Sequence, residues 1–188
     1  MLYSTMIIDH LRKTAGDKTG IAFAFLERNH SQLNTAVDVL GSLWRQLLDS
    51  GAPPPDAAID LFNDHYSKGS RPSIEEISNL LSHQLTSRPK NFIIIDGLDE
   101  YADDNNNPAA LVKKISAFRD HAHILFTVTA KEASRLLDPG CAVFDLEVAQ
   151  QDVRSFVEDS LAHIAEQQSW DWDWDRAIGR ASELAGKE

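Results

Sequence analysis

Asn91-Phe92-Ile93-Ile94-Ile95-Asp96-Gly97-Leu98-Asp99-Glu100 is the stretch on which the fold of this chain turns. Four consecutive large apolar residues, Phe92 to Ile95, suit a strand buried on both faces. Burial on both faces implies a parallel sheet, because the crossovers between parallel strands lay helices above and below it. The apolar run ends on a carboxylate. Gly97 then lets the chain turn closely, and two further carboxylates follow Leu98.

Outward from this strand the chain alternates between short apolar runs and amphipathic segments. Upstream, Ile21 to Leu26 is a six-residue apolar run after Gly20 and reads as a buried strand. From Thr35 to Leu48 the apolar positions Val37, Leu40, Leu43, Trp44, Leu47 and Leu48 recur at helical spacing, and Pro53-Pro54-Pro55 closes the unit. A second helix spans about Asp56 to Tyr66, and a third follows Ser73, whose hydroxyl and Glu76 form a capping box. Leu2, Met6, Ile7 and Leu11 resemble the tail of a helix that Gly16-Asp17 ends. Downstream come a helix from Pro108 to Arg119, a strand from Ile124 to Val128, a short helix, a strand from Ala142 to Leu146, and a long helix from Asp152 to Gln167. Strands alternating with helices predict an α/β domain with helices on both faces of a parallel sheet.

The bulk properties narrow the function. With 43% hydrophobic and 25% charged residues in 188, the composition is that of a soluble globular domain. The formal net charge of -11 repels a phosphate backbone, so nucleic acid is not an expected partner. The single cysteine, Cys141, has no internal partner, which suggests a reducing, cytoplasmic setting with the thiol buried as a small apolar group. The first ten residues lack the pattern of a signal peptide, and no apolar run approaches the ~20 residues that span a bilayer, so no membrane partner is expected.

In open parallel sheets, sites lie beyond the carboxyl ends of the strands, and there the sequence brings three carboxylates together. Asp96 at the strand tip is the candidate metal ligand, since magnesium takes hard oxygens and keeps several waters beside a phosphate. Asp99 and Glu100 are the candidates to orient or deprotonate an attacking water. The alternative is that Asp96 merely ends a strand while Asp99 and Glu100 sit in a solvated loop. Other constellations fall away on inspection. Asp171-Trp172-Asp173-Trp174-Asp175 has the alternating carboxylates of a calcium loop, but Arg176 and Ser182 replace its glycine and bidentate glutamate. His121 and His123 lack the further ligands of a zinc set, Asp103 to Asn107 is a polar loop, and Cys141 has no recognisable partner base.

At Phe92 to Glu100 the sequence resembles the Walker B motif of the NACHT family, in the STAND class of P-loop NTPases. There a small residue follows the first aspartate, and an acidic pair follows one more apolar residue. Phe23-Ala24-Phe25 and Leu43-Trp44-Arg45-Gln46-Leu47-Leu48 resemble the second strand and next helix of fungal NACHT and nephrocystin-like proteins. Val128-Thr129-Ala130-Lys131 stands where the family has a Thr-Ser-Arg string, so Lys131 would take the place of a phosphate-sensing arginine, without its planar fork. Leu146, Asp152-Val153 and Phe156-Val157 resemble the last strand and the helix beyond it, and Ala177 to Gly186 the start of a helical adjunct.

The resemblance implies a P-loop-NTPase-like three-layer sandwich over residues 1–168, missing its first strand and phosphate loop, and an adjunct beginning over 169–188. The two Gly-Lys-type lookalikes fail, since Lys18-Thr19 has Arg12 where the loop's first glycine belongs and Gly186-Lys187 has Ala181 there. The chain is therefore expected to start just after a phosphate site and to bind nucleotide weakly by itself. The implied activity is an ATP or GTP switch with Mg2+, in a protein with an effector domain upstream and ankyrin, WD or tetratricopeptide repeats downstream, which assembles as a homo-oligomer. The other reading is a degenerate fold that serves protein contacts without catalysis. In either case Phe92 to Ile95 should pair in parallel with Ile21 to Leu26 on one side and Ile124 to Val128 on the other. Ala142 to Leu146 is expected to lack its neighbour, and so either to shift in and pair or to drive aggregation.

Overall fold

The middle strand of the sheet is β2 (Lys90–Asp96). It pairs in parallel with β1 (Thr19–Phe25), where Ile21 stands opposite Phe92 and Phe23 opposite Ile94. On its other edge it pairs in parallel with β3 (His123–Phe126), Ile93 opposite Ile124 and Ile95 opposite Phe126. The order is β1-β2-β3, with both neighbours of the central strand as its apolar run predicts. A computed structural model provides these coordinates and describes residues 2–16, 18–27, 35–48, 53–101, 108–138 and 140–145. The chain divides into two compact units, residues 1–141 and 142–188, and everything that follows concerns the first unless stated.

Helices cover the sheet on both faces. One face carries Ala22, Ala24, Ile93 and Ile95, in a single buried cluster with Val39, Leu40 and Leu43 of α2 (Ala36–Gln46) and Ile77, Leu81 and Leu85 of α4 (Ile74–Thr86). Leu111, Val112 and Ile115 of a short further helix (Pro108–Ser116) join them. Strand alternation turns Ile94 and Asp96 to the opposite face, which is the face of α1 (Leu2–Thr14). Ile8 of α1 is buried, Ser4 bonds to Asp96, and the Arg12 guanidinium lies 5.3 Å from the centre of the Phe23 ring. The result is a three-layer α/β sandwich. The helix Asp56–Lys68, here α3, buries little but Ala58. The helix Pro108–Ser116 is α5, and α6 (Ala130–Leu136) follows β3.

Local chemistry explains the element ends. Ser73 caps α4 by the reciprocal arrangement read from the sequence, its hydroxyl accepting from the Glu76 N–H while Glu76 accepts from the Ser73 N–H at 2.7 Å. A second such box, Thr35 with Asp38, starts α2. At the far end of the sheet Asn91 is buried, and its amide donates to Leu85 O at 2.8 Å and His121 O at 2.9 Å. That pair of bonds ties α4 to the turn before β3. A Cβ at Gly20 would collide with Asn91 Oδ1, so the close strand approach here needs a glycine.

Several expectations need correction. Ala142 to Asp145 forms no strand and is exposed, Val143 at 61% and Phe144 at 83%, while Leu146 lies outside the described residues. An apolar alternation becomes a strand only where a neighbour accepts its backbone bonds, and these four residues make none as a ladder. Cys141 is exposed rather than buried, in a turn where its N–H donates to Asp138 O at 2.9 Å. The helix expected to reach Arg119 ends at Ser116 and passes into turns closed by Phe118 N–H to Ile115 O and His121 N–H to Phe118 O. The predicted helix Asp152 to Gln167, the Asp171–Asp175 run, the domain boundary near 168 and the loop Asp103–Asn107 all lie outside the described residues.

Two predictions test this packing. Leu43 is fully buried between α2 and the sheet, so Leu43→Ala should lower the unfolding free energy by about 2–5 kcal/mol in urea titration. Hydrogen bonds from the Ser73 backbone and hydroxyl and from His65 hold the Glu76 carboxyl at about 2, below its ordinary 4.5. Between those values the unfolded chain binds more protons than the folded one, so Glu76 adds stability that is complete above 4.5 and lost as pH falls towards 2. Glu76→Gln should flatten the acid limb of the stability curve over that window.

Candidate functional site

Asp96 is only 6% exposed, at the carboxyl end of the middle strand. Its Oδ1 accepts from Ser4 Oγ of α1 at 2.9 Å and from Thr127 Oγ1, the residue after β3. Burial pushes the Asp96 carboxyl up, but hydrogen bonds, those from Thr127 and Ser4 among them, more than offset it and hold it below the usual carboxylate range. The group is therefore a buried, ionised carboxylate. With two hydroxyls beside it, it presents the hard oxygen donors that a magnesium ion takes.

The turn after Asp96 is held from both sides. Leu26 N–H donates to Asp96 O at 2.8 Å, Leu98 N–H to Thr127 O at 3.1 Å, and Thr127 N–H to Ile95 O at 2.9 Å. Gly97 N–H donates to Thr127 Oγ1 at 3.1 Å. To make these bonds Gly97 adopts φ 75 and ψ 38, the left-handed region, and a Cβ there would stand 2.5 Å from Leu26 O. Only glycine fits both the torsion and the space. A single 3-10 turn, Leu98–Glu100, follows, anchored by the buried Leu98 and closed by Tyr101 N–H to Leu98 O.

That turn separates the carboxylates the sequence places side by side. Asp96 points to the α1 face, Asp99 is half-buried and lines an open cleft of about 390 Å³, and Glu100 is exposed and is not among the residues lining it. Among the described residues no group of three or more His, Cys, Asp or Glu side chains could hold a metal ion, so convergence of all three carboxylates is not observed. The cleft does bring Asp99 together with Lys131, whose side chain is exposed in the first turn of α6. Thr129, Glu132 and Arg135 line it too, and Arg135 pairs with Glu132 at 2.6 Å. His121 and His123 are exposed, the His123 ring stacking on Phe92 at 5.2 Å between centres.

The two hydroxyls on Asp96, from Ser4 and Thr127, escaped the sequence reading, as did Arg135 on the cleft. Each hydroxyl left a signal. Ser4 is a polar residue one helical turn before the buried Ile8, on the stripe that faces the sheet. Thr127 is the first hydroxyl after the apolar run Ile124-Leu125-Phe126, at a strand end adjoining that of Asp96.

A parallel α/β sandwich with a hydroxyl-bound carboxylate at the tip of its middle strand defines the class to which the chain belongs. More particularly, the chain belongs to the nephrocystin 3 N-terminal family, whose model matches residues 1–129. The match takes in Ser4, Asp96, Asp99, Glu100 and Thr127, and ends before Lys131 and Arg135. Among curated proteins and solved structures, none matches the chain.

Because Gly97 is confined both by its torsion and by Leu26, Gly97→Ala should reduce the unfolding free energy by more than about 2 kcal/mol. Urea denaturation of the variant beside the parent measures it; a change within about 0.5 kcal/mol would show that the turn relaxes at no cost.

Proposed function

We propose that this chain carries the magnesium side of a nucleotide-hydrolysing switch of the NACHT type, as a region of a larger multidomain protein. The observation that carries the reading is Asp96, a buried carboxylate bonded by two hydroxyls at the end of the middle strand of a parallel sheet. A carboxylate with hydroxyls beside it offers oxygen donors to a hard cation, and the family to which the chain belongs supports the assignment.

In this reading Asp96, oriented by Ser4 and Thr127, holds Mg2+. Bound there, the ion would neutralise charge developing on the phosphate oxygens of ATP or GTP. Asp99 in the cleft orients water, and the exposed Glu100 accepts its proton. Lys131 and Arg135 put two cations on the same cleft, where a terminal phosphate would meet them. The wider protein would join an upstream effector domain and downstream repeats, assemble as a homo-oligomer, and act in the cytoplasm. The charge of -11 argues against nucleic acid as the partner, and no described helix is long and apolar enough to cross a membrane.

A second reading, a non-enzymatic module for protein contacts, is favoured by α3. Its Ile59, Phe62 and Tyr66 lie on one exposed stripe, with Phe62 and Tyr66 stacked at 5.6 Å.

The two readings separate in a version of the protein in which a phosphate-binding loop precedes residue 1. Asp96→Asn should weaken magnesium-dependent nucleotide binding at least about tenfold, ~1.4 kcal/mol, in calorimetric titration. Glu100→Gln should slow hydrolysis more than binding. Hydrolysis at the parent rate in both variants would sink the enzymatic reading and leave the contact module.

A further inference from the structure

One residue bonds to four consecutive positions at the end of the middle strand, Ile95 to Leu98. The Thr127 hydroxyl donates to Asp96 Oδ1 and accepts from the Gly97 N–H at 3.1 Å, while its backbone accepts from Leu98 N–H and donates to Ile95 O. A hydroxyl can donate to a carboxylate and accept from an amide at once. Valine has the same shape and can do neither. Serine can do both.

The position matters as much as the chemistry. Thr127 follows β3 directly and lies three residues before α6, whose Lys131, Glu132 and Arg135 line the cleft with Asp99. Only Val128 and Thr129 separate Thr127 from the first residue of α6. Asp96 precedes Gly97 in the chain and Asp99, which lines the cleft, follows it, and the Thr127 hydroxyl is bonded to both Asp96 and Gly97.

We propose that Thr127 is a positioning residue, which fixes the Asp96 carboxylate and the Gly97 turn in one orientation and links them to the cleft-lining segment that leads into α6. The part of this that concerns metal rests on the assignment of Asp96 as the magnesium ligand; the part that concerns the turn does not. Ser4 supplies a second donor to the same oxygen but makes no bond to the turn among those described, so it cannot replace Thr127 in the link.

The experiment uses the 188-residue chain, with hydrogen exchange read residue by residue and Mn2+ binding read by water-proton relaxation. Thr127→Val should speed exchange at Gly97 and Leu98 at least about tenfold while Ile93 to Ile95 keep the parent's protection. Thr127→Ser should return Gly97 and Leu98 to within about threefold of the parent. Equal acceleration along all of β2 would make Thr127 a general stabiliser and overturn the proposal, as would unchanged exchange in Thr127→Val or failure of serine to restore it. If Thr127→Val does not fold, Thr127→Cys, a weaker donor of similar size, should speed Gly97 selectively, and parent-like exchange there overturns the proposal equally. In the metal arm, Thr127→Val and Asp96→Asn should each weaken Mn2+ binding about tenfold. Parent-like Mn2+ affinity in Asp96→Asn removes the metal assignment alone, because the exchange arm still decides the role of Thr127 in the turn.

Discussion

A carboxylate that is buried and still ionised must be given hydrogen-bond donors, and much of this structure is arranged around that requirement at Asp96. Burying a charge without partners costs far more than a single apolar contact returns. Among the described residues, donors come from two separate elements, Ser4 on α1 and Thr127 after β3. Both elements are thereby committed. α1 has to lie on the Ile94 face of the sheet with Ser4 at the strand tip, and β3 has to pair in the register that brings Thr127 beside Asp96. A shift of one residue in either strand would turn every side chain to the other face and remove the donor.

The apolar side of the sheet works by a different logic. Ala22 and Ala24 are small, so α2 approaches β1 closely and α4 packs on α2, while Ile93 and Ile95 join the same cluster with α5. This cluster supplies most of the burial. It would tolerate exchanges of similar volume, because hydrophobic packing has no direction. The Asp96 side has direction at every bond. Stability thus comes mainly from one face and geometric definition from the other, and Gly97 joins them where the chain leaves β2, beneath Leu26 and beside Thr127.

The match to the nephrocystin 3 N-terminal family stops at residue 129, between the hydroxyl that binds Asp96 and the helix that carries Lys131 and Arg135. The carboxylate and its donors therefore belong to the shared region, and the cationic wall of the cleft lies outside it. The family match thus covers Asp96 and not Lys131. The physical link between the two is three residues of backbone.

Periodicity and local chemistry made much of this fold legible before any coordinates. Phe92 to Ile95 read as a doubly buried strand because nothing but a central parallel position suits four such residues in a row, and Ser73 with Glu76 read as a cap because that bond closes within four residues. Asp96, Asp99 and Glu100 were named from the same stretch. Their separation was not legible, since it depends on a left-handed glycine whose conformation is imposed by Leu26 and Thr127, residues about 70 and 30 positions away. The helical stripe marks Ser4 as facing the sheet, but not its bond to Asp96, 92 positions away. Ala142 to Asp145 failed in the opposite sense, for its apolar alternation satisfied a pattern while the bonds that make a strand must come from a neighbour. Interactions closed within a turn or a strand are written in the sequence itself; those between distant residues exist only once packing has set the register, and tertiary structure alone decided them.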